Sequence, residues 1–292
     1  MHPHPDGAKA AHDSLVLFRQ LHDAHRAAYA QTLLAVEGVA GPDVADSLDL
    51  LDEADARFAA EGDRWGQALT LFLRMELHFA AGAADEATGC AERALTTFRA
   101  LDDHWGISAV QYHLGLALHR MGDWPQARTV YLGALAEGRR VGLANTVQYA
   151  LADLGHVELA LGDPEQAARY FAEAHAAAVQ LGAEGNPVAA LGEGLLHRQR
   201  GAYDAARRYY ASAERLAGGK SDWVAALSGL GFAAEQDGDL DGAEKSFGRG
   251  RGRRAPRRGT PRRRTSAWML ARHPLIKCED CISGRRGTRC PM

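Results

Sequence analysis

The chain is poor in cysteine: of four among 292 residues, only Cys90 precedes residue 278. Cys90 falls on an apolar helical stripe, so no disulfide framework can staple the body, and a reducing, cytoplasmic setting is expected. Long apolar runs are missing too. No stretch reaches the ~18 apolar residues of a membrane span, and the opening Met1-His-Pro-His-Pro-Asp-Gly has no signal-peptide core. Catalytic signatures are as scarce. Neither a GxSxG elbow nor an HExxH motif occurs, and His22 and His25, three residues apart on one helix, read as a solvated pair. Gly218-Gly219-Lys220-Ser221 ends like a phosphate-binding loop, but Glu214 stands where the first glycine belongs and a helix precedes it. No nucleophile, base and orienting group converge. Neither catalytic nor metal-ligating residues are expected, nor a cofactor, and the chain does not read as an enzyme. Positive charge is short over most of the length: residues 1–248 hold 20 Lys/Arg against 35 Asp/Glu. Such a body is unsuited to phosphate contact.

What the chain does have is a period. Gly82, Gly122, Gly162, Gly201 and Gly238 fall 40, 40, 39 and 37 residues apart, each followed five residues later by Ala87, Ala127, Ala167, Ala206 or Ala243. Seven residues before each glycine stand Met75, Gly115, Gly155, Gly194 and Gly231; nine after stand Ala91, Tyr131, Phe171, Tyr210 and Phe247. Apolar residues between these anchors recur at i, i+3, i+4 and i+7, one stripe of a helix. Each unit reads as helix, tight turn, helix. The glycine ends one helix, and Asp123, Asp163 or Asp239 caps the next, with Pro125 and Pro164 in its first turn. A glycine facing an alanine lets two antiparallel helices approach, with the aromatic filling the space beside them.

Small residue, turn glycine, alanine and aromatic in this order resemble the tetratricopeptide repeat, whose usual period is 34 residues. The longer period here, with Asp63-Arg-Trp65-Gly66 and Asp103-His-Trp105-Gly106 opening units, resembles the repeats in the C-terminal halves of large bacterial, chiefly actinobacterial, transcriptional regulators. The phrase Leu230-Gly-Phe-Ala-Ala-Glu-Gln-Asp-Gly-Asp239 resembles that group as well. The resemblance implies an all-α fold, a right-handed superhelical solenoid of antiparallel helix hairpins, acting in protein–protein or peptide recognition as the sensor part of a regulator. The DNA-binding and nucleotide-binding parts of such regulators are not in this sequence, so a fragment, a degenerate gene product or a stand-alone adaptor is expected. A self-contained peptide receptor is the alternative. Trp65, Trp105 and Trp223 are expected to wedge between units as packing residues.

Three segments follow: N-terminal helices over residues 1–60, with Asp43 as an N-cap; five repeats over 61–248; and a tail over 249–292. The tail holds 14 Lys/Arg against 2 Asp/Glu, nine of them arginines within 249–264. It reads as a basic arm for nucleic acid, as a zinc appendage built from His273, Cys278, Cys281 and Cys290, or as the product of a frameshift that cuts the last helix after Phe247. Nucleic acid is a partner only if the tail is genuine, and no membrane partner is expected.

In the resembling repeats the first helix of each unit lines a concave groove. Carried over by offset from each turn glycine, that groove comprises Tyr112, Leu116 and His119; Tyr149 and His156; Leu195, Arg198 and Gln199; and Phe232 and Glu235. Aromatics supply contact area there, while His, Arg and Gln supply hydrogen bonds to a peptide backbone or carboxylate.

Overall fold

Most helices begin after an aspartate, asparagine or alanine, and most end where a residue turns left-handed. The structure, a computed structural model, describes residues 5–38, 44–218 and 220–252. Asp43 and every tail residue beyond Gly252 lie outside them, the zinc set included. Within them the helices run α1 Pro5–Gln20, α2 Ala24–Gly38, α3 Val44–Glu61, α4 Arg64–Ala81, α5 Ala84–Ala100, α6 His104–Met121, α7 Trp124–Arg140, α8 Ala144–Leu161, α9 Pro164–Gln180, α10 Pro187–Gln199, α11 Tyr203–Leu216, α12 Lys220–Gln236 and α13 Leu240–Gly252. No strand occurs among the described residues. The fold is all-α, a series of helix hairpins. Two compact units share the described residues: those up to Leu114 with Gly133–Leu143, and Gly115–Leu132 with those from Ala144 to Gly252.

The five turn glycines take φ between 72° and 87°. This left-handed conformation costs an L-residue about 1 kcal/mol and glycine nothing, which is why glycine recurs there. The turns that lead into α2, α4, α6, α8 and α10 use the same conformation, at His22, Gly62, Asp102, Gly142 and Gly182. The structure thus carries a half-period of about 20 residues, obscured in the sequence because histidine and aspartate hold two of those positions.

The small and large anchors are partners in space. In the second unit, a Cβ on Gly115 would stand 2.7 Å from the Tyr131 ring, and one on Gly194 2.6 Å from Tyr210. Phe171 lies against Gly155 of its own hairpin and Gly192 of the next helix; Tyr210 lies in the same way against Gly194 and Gly229. Each ring therefore keys two successive hairpins together. Ala127, Ala167, Ala206, Ala134, Ala174 and Ala213 are fully buried beside them. In the first unit the α4/α5 pair inverts the arrangement, with Met75 supplying bulk and Ala91 the gap, both fully buried.

The Asp-x-Trp-Gly phrases also resolve into contacts. Asp63 caps α4 by accepting from the Gly66 amide at 2.8 Å, and Asp103 accepts from Gly106 at 2.6 Å. The second oxygen of each carboxylate receives an aromatic of the preceding hairpin: Tyr29 Oη donates to Asp63 at 2.6 Å, and Trp65 Nε1 to Asp103 at 2.8 Å. Burial works to raise the Asp63 carboxyl, but bonds from Gly66, Tyr29 and His25 outweigh it and hold the group below its ordinary value. Trp65 stacks on Trp105 with ring centroids 5.8 Å apart. The glycine closing each phrase leaves room for Phe58 or Phe98, both fully buried. Trp65 thus packs between hairpins, while Trp105 keeps 40% of its surface exposed.

The last helix does not stop at Phe247. Helix α13 continues into the first arginines as far as Gly252, and Arg249 forms an ion pair with Glu214 of α11.

Candidate functional site

Helix α8 is the most enclosed element of the second unit: Gln148 and every residue from Ala150 to Glu158 are buried, while Tyr149 is half-buried. Burying that many polar groups requires partners. Asn186, fully buried, caps α10 through the Ala189 amide at 3.0 Å and donates from Nδ2 to Gln148 Oε1 at 3.1 Å. The Asn186 amide donates to His175 Nδ1 at 3.1 Å, which leaves the His175 Nε2 proton for Glu193 at 2.9 Å. His156 Nε2 donates to the Val188 carbonyl at 3.0 Å. Together these bonds fix the first turn of α10 onto α8, and with it the surface that α10 presents.

Helix α10 packs on α8 at one side and on α12 at the other. Burial raises the Tyr149 hydroxyl above its ordinary value, and the carboxylates of Asp222 and Asp153 raise it further. Asp222 belongs to the first turn of α12. On the same helices the Arg198 guanidinium lies 5.7 Å from the centre of the Phe232 ring. Tyr149, Leu195, Arg198, Asp222 and Phe232 are all half-buried, and Gln199 and Glu235 are exposed at the rim. These helices present one tyrosine, one arginine over an aromatic ring, aliphatic and aromatic area, and the half-buried Asp222 carboxylate.

The sequence-predicted groove set is not all there. His119 and His156 are corrections: they are 5% and 2% exposed and face the hairpin interior. His119 packs edge-on to Trp124 at 5.2 Å and to Tyr131 at 6.3 Å, with His156 at 6.4 Å. Burial, with the charges of His156 and Arg120, pushes its imidazole down to about 3, so it is neutral at ordinary pH. His156 is occupied in anchoring α10. Of the rest, Leu116 is half-buried on the part of α6 that belongs to this unit. Tyr112 belongs to the other unit and stands edge-on to His113 at 5.4 Å. Asp153 and Asp222 were missed, because the offsets sampled no position so near the start of α12 and because acidic residues are common on every helix face here.

Among the described residues no group of three or more His, Cys, Asp or Glu side chains could hold a metal ion, and no helix is long and apolar enough to cross a membrane. In the first unit an open cavity of about 430 Å³ lies between α3, α4 and α5, lined by Arg74, His78, Cys90 and Arg93 among others. Burial raises the Cys90 thiol despite the two arginines, which leaves it a poor nucleophile.

Comparison with known proteins agrees with this architecture. Residues 106–178 match the tetratricopeptide repeat family. No curated protein matches the chain in sequence. Among solved structures, the chain is similar to a Rap protein complexed with Competence and Sporulation Factor, at 16% identity and a TM-score of 0.60, covering 85% of this chain and 76% of that one. It is similar to the apo quorum sensor NprR from B. thuringiensis, at 12% identity and a TM-score of 0.58, covering 84% and 74%. PilF from Pseudomonas aeruginosa matches at 17% identity and a TM-score of 0.56, covering 76% and 90%. At such identities the likeness is one of fold. Residues 106–178 thus match the tetratricopeptide repeat, and the chain shares its helical-hairpin fold with these structures.

Proposed function

We propose that the chain is a peptide- or protein-recognition module, and that α8, α10 and α12 of the second unit form the concave face where the partner sits. The observation that carries this reading is the Arg198 guanidinium 5.7 Å from the centre of the Phe232 ring, on helices that also present half-buried Tyr149 and Leu195. Half-buried aromatics and an arginine in a concavity are the composition of recognition surfaces, where a few anchors supply most of the affinity. The Rap protein is solved in complex with Competence and Sporulation Factor, and NprR is a quorum sensor. Both proteins favour a sensory role for this chain. The Asp-x-Trp-Gly phrases favour, in turn, the sensor part of a bacterial transcriptional regulator working in the cytoplasm. The role is binding and not catalysis.

The test is retention of peptides on the immobilised full chain from a random-sequence library, read by mass spectrometry, against the Tyr149→Ala and Phe232→Ala variants. Both variants are expected to keep their helicity and to lose most of the retained peptide. Equal retention by wild type and both variants would place the partner elsewhere and sink this assignment.

A further inference from the structure

The open cavity of about 430 Å³ bounded by α3, α4 and α5 lies within the first unit and shares no residue with the recognition face of the second. Small-molecule sites measure about 300–1,000 Å³, and this volume falls among them. Helix α4 contributes Leu71, Arg74 and His78, and α5 contributes Gly89, Cys90 and Arg93. Gly89 differs from the glycines inside α6, α8, α10 and α12. Each of those makes room for an aromatic ring, whereas a Cβ on Gly89 would meet nothing within 4 Å. Packing therefore does not account for a glycine inside α5, where it weakens the helix relative to alanine. Its missing side chain widens the cavity instead.

The charges around this space are uneven. Arg74 is half-buried and pairs with Asp52 at 2.5 Å. Arg93 is exposed and has no carboxylate partner among the described residues. Both arginines act on the Cys90 thiol, and burial keeps that thiol protonated, so the wall beside them is neutral and polarisable. We infer that the cavity binds a small organic anion, its acidic head taken by Arg93 and Arg74 and its apolar body lying over Leu71 and the Cys90 sulfur. A guanidinium fork receives a carboxylate by two parallel charge-assisted hydrogen bonds, which a neutral or cationic head cannot accept equally. Two acidic groups line the same cavity. Asp55 already accepts from Thr70 Oγ1 at 3.0 Å, and Glu86 is exposed and screened by water.

Hexanoate, hexanamide and hexylamine test this on the full-length protein, since they share one apolar body and differ only in the charge of the head. Saturation-transfer NMR at neutral pH should show hexanoate bound about tenfold more tightly than the other two, as expected when a charged hydrogen bond is gained. Arg93→Gln should erase that preference, and Glu86→Gln should strengthen it by removing an opposing charge. Gly89→Phe should fill the cavity and abolish hexanoate binding, while thermal unfolding stays at or above that of wild type because a helix-interior glycine is replaced. Hexanoate bound equally by wild type and Gly89→Phe would place the ligand elsewhere and overturn the site. Equal binding of all three probes, or a preference for hexylamine, would overturn the anionic class. Binding of none would overturn the inference outright, without touching the recognition face of the second unit.

Discussion

At the residue scale, the missing side chain of one glycine is filled by the ring of one aromatic, and that pairing is what the period in the sequence records. Phe171 lies between Gly155 and Gly192, so Gly192→Ala places a Cβ against a ring that has no free side to move to. Helix propensity favours alanine by up to about 1 kcal/mol, while overpacking costs roughly 1–3 kcal/mol, and a net loss is expected. Denaturant unfolding of Gly192→Ala, Phe171→Leu and the double variant should show a coupling of about 1 kcal/mol or more, the smaller side chain relieving the clash. Additive effects would mean that the ring and the glycine do not press on each other. A second residue-level device joins hairpins in the first unit through Asp103, which caps α6 and also accepts from Trp65 Nε1. Trp65→Phe keeps the ring and loses one hydrogen bond, for about 1 kcal/mol. Asp103→Ala loses that bond and the cap, for about 2 kcal/mol. Equal costs in thermal melts would show that only one of the two bonds matters.

At the element scale, the hairpins were legible in the sequence because a turn glycine, an alanine and an aromatic recur at fixed offsets, each with a steric reason. The turns between hairpins were less legible, since His22 and Asp102 adopt the left-handed conformation that glycine advertises elsewhere. Which face a histidine takes was not legible at all. His119 sits at a groove offset but is turned into the α6/α7 packing, where an imidazole behaves as an aromatic. Its burial has a pH consequence with a definite sign. The folded protein holds His119 near 3, whereas an unfolded histidine titrates near 6.5, so the unfolded state binds the proton first. Stability from this group is complete above pH 6.5 and falls as pH drops from 6.5 toward 3, by about 1.4 kcal/mol per unit. Glu158 works in the opposite direction, because burial raises its carboxyl and lets the folded state take a proton early. Wild type is therefore best compared with His119→Leu. Between pH 7 and 5 the wild type should lose about 2 kcal/mol more than the variant in urea unfolding. Parallel pH profiles would mean that His119 is solvated in solution.

At the scale of the whole molecule, a stack of hairpins has no single core to lose, and stability accumulates from neighbour to neighbour. Helix α12 packs chiefly on α10, α11 and α13. Truncation after Gly218 should therefore leave a chain whose helicity per remaining residue is unchanged. Its thermal midpoint should fall by several degrees, as the faces of α10 and α11 around Tyr210 lose their cover. Deleting Pro164–Gln180 instead takes α9 out of the middle of the unit, together with Phe171 and the His175 that holds Asn186, and should cost helicity well beyond the deleted residues. The two deletions also separate fold from recognition. Truncation after Gly218 removes Asp222 and Phe232 while leaving Tyr149 and Arg198 on a folded support, so peptide retention should disappear although circular dichroism reports a folded chain. Hydrogen exchange supplies the local reading: the amides of α8 should stay protected in the truncated chain and exchange freely in the α9 deletion. If truncation instead released α8 along with α10 and α11, the second unit would be one cooperative body, and neighbour-by-neighbour stability would be the wrong description of this protein.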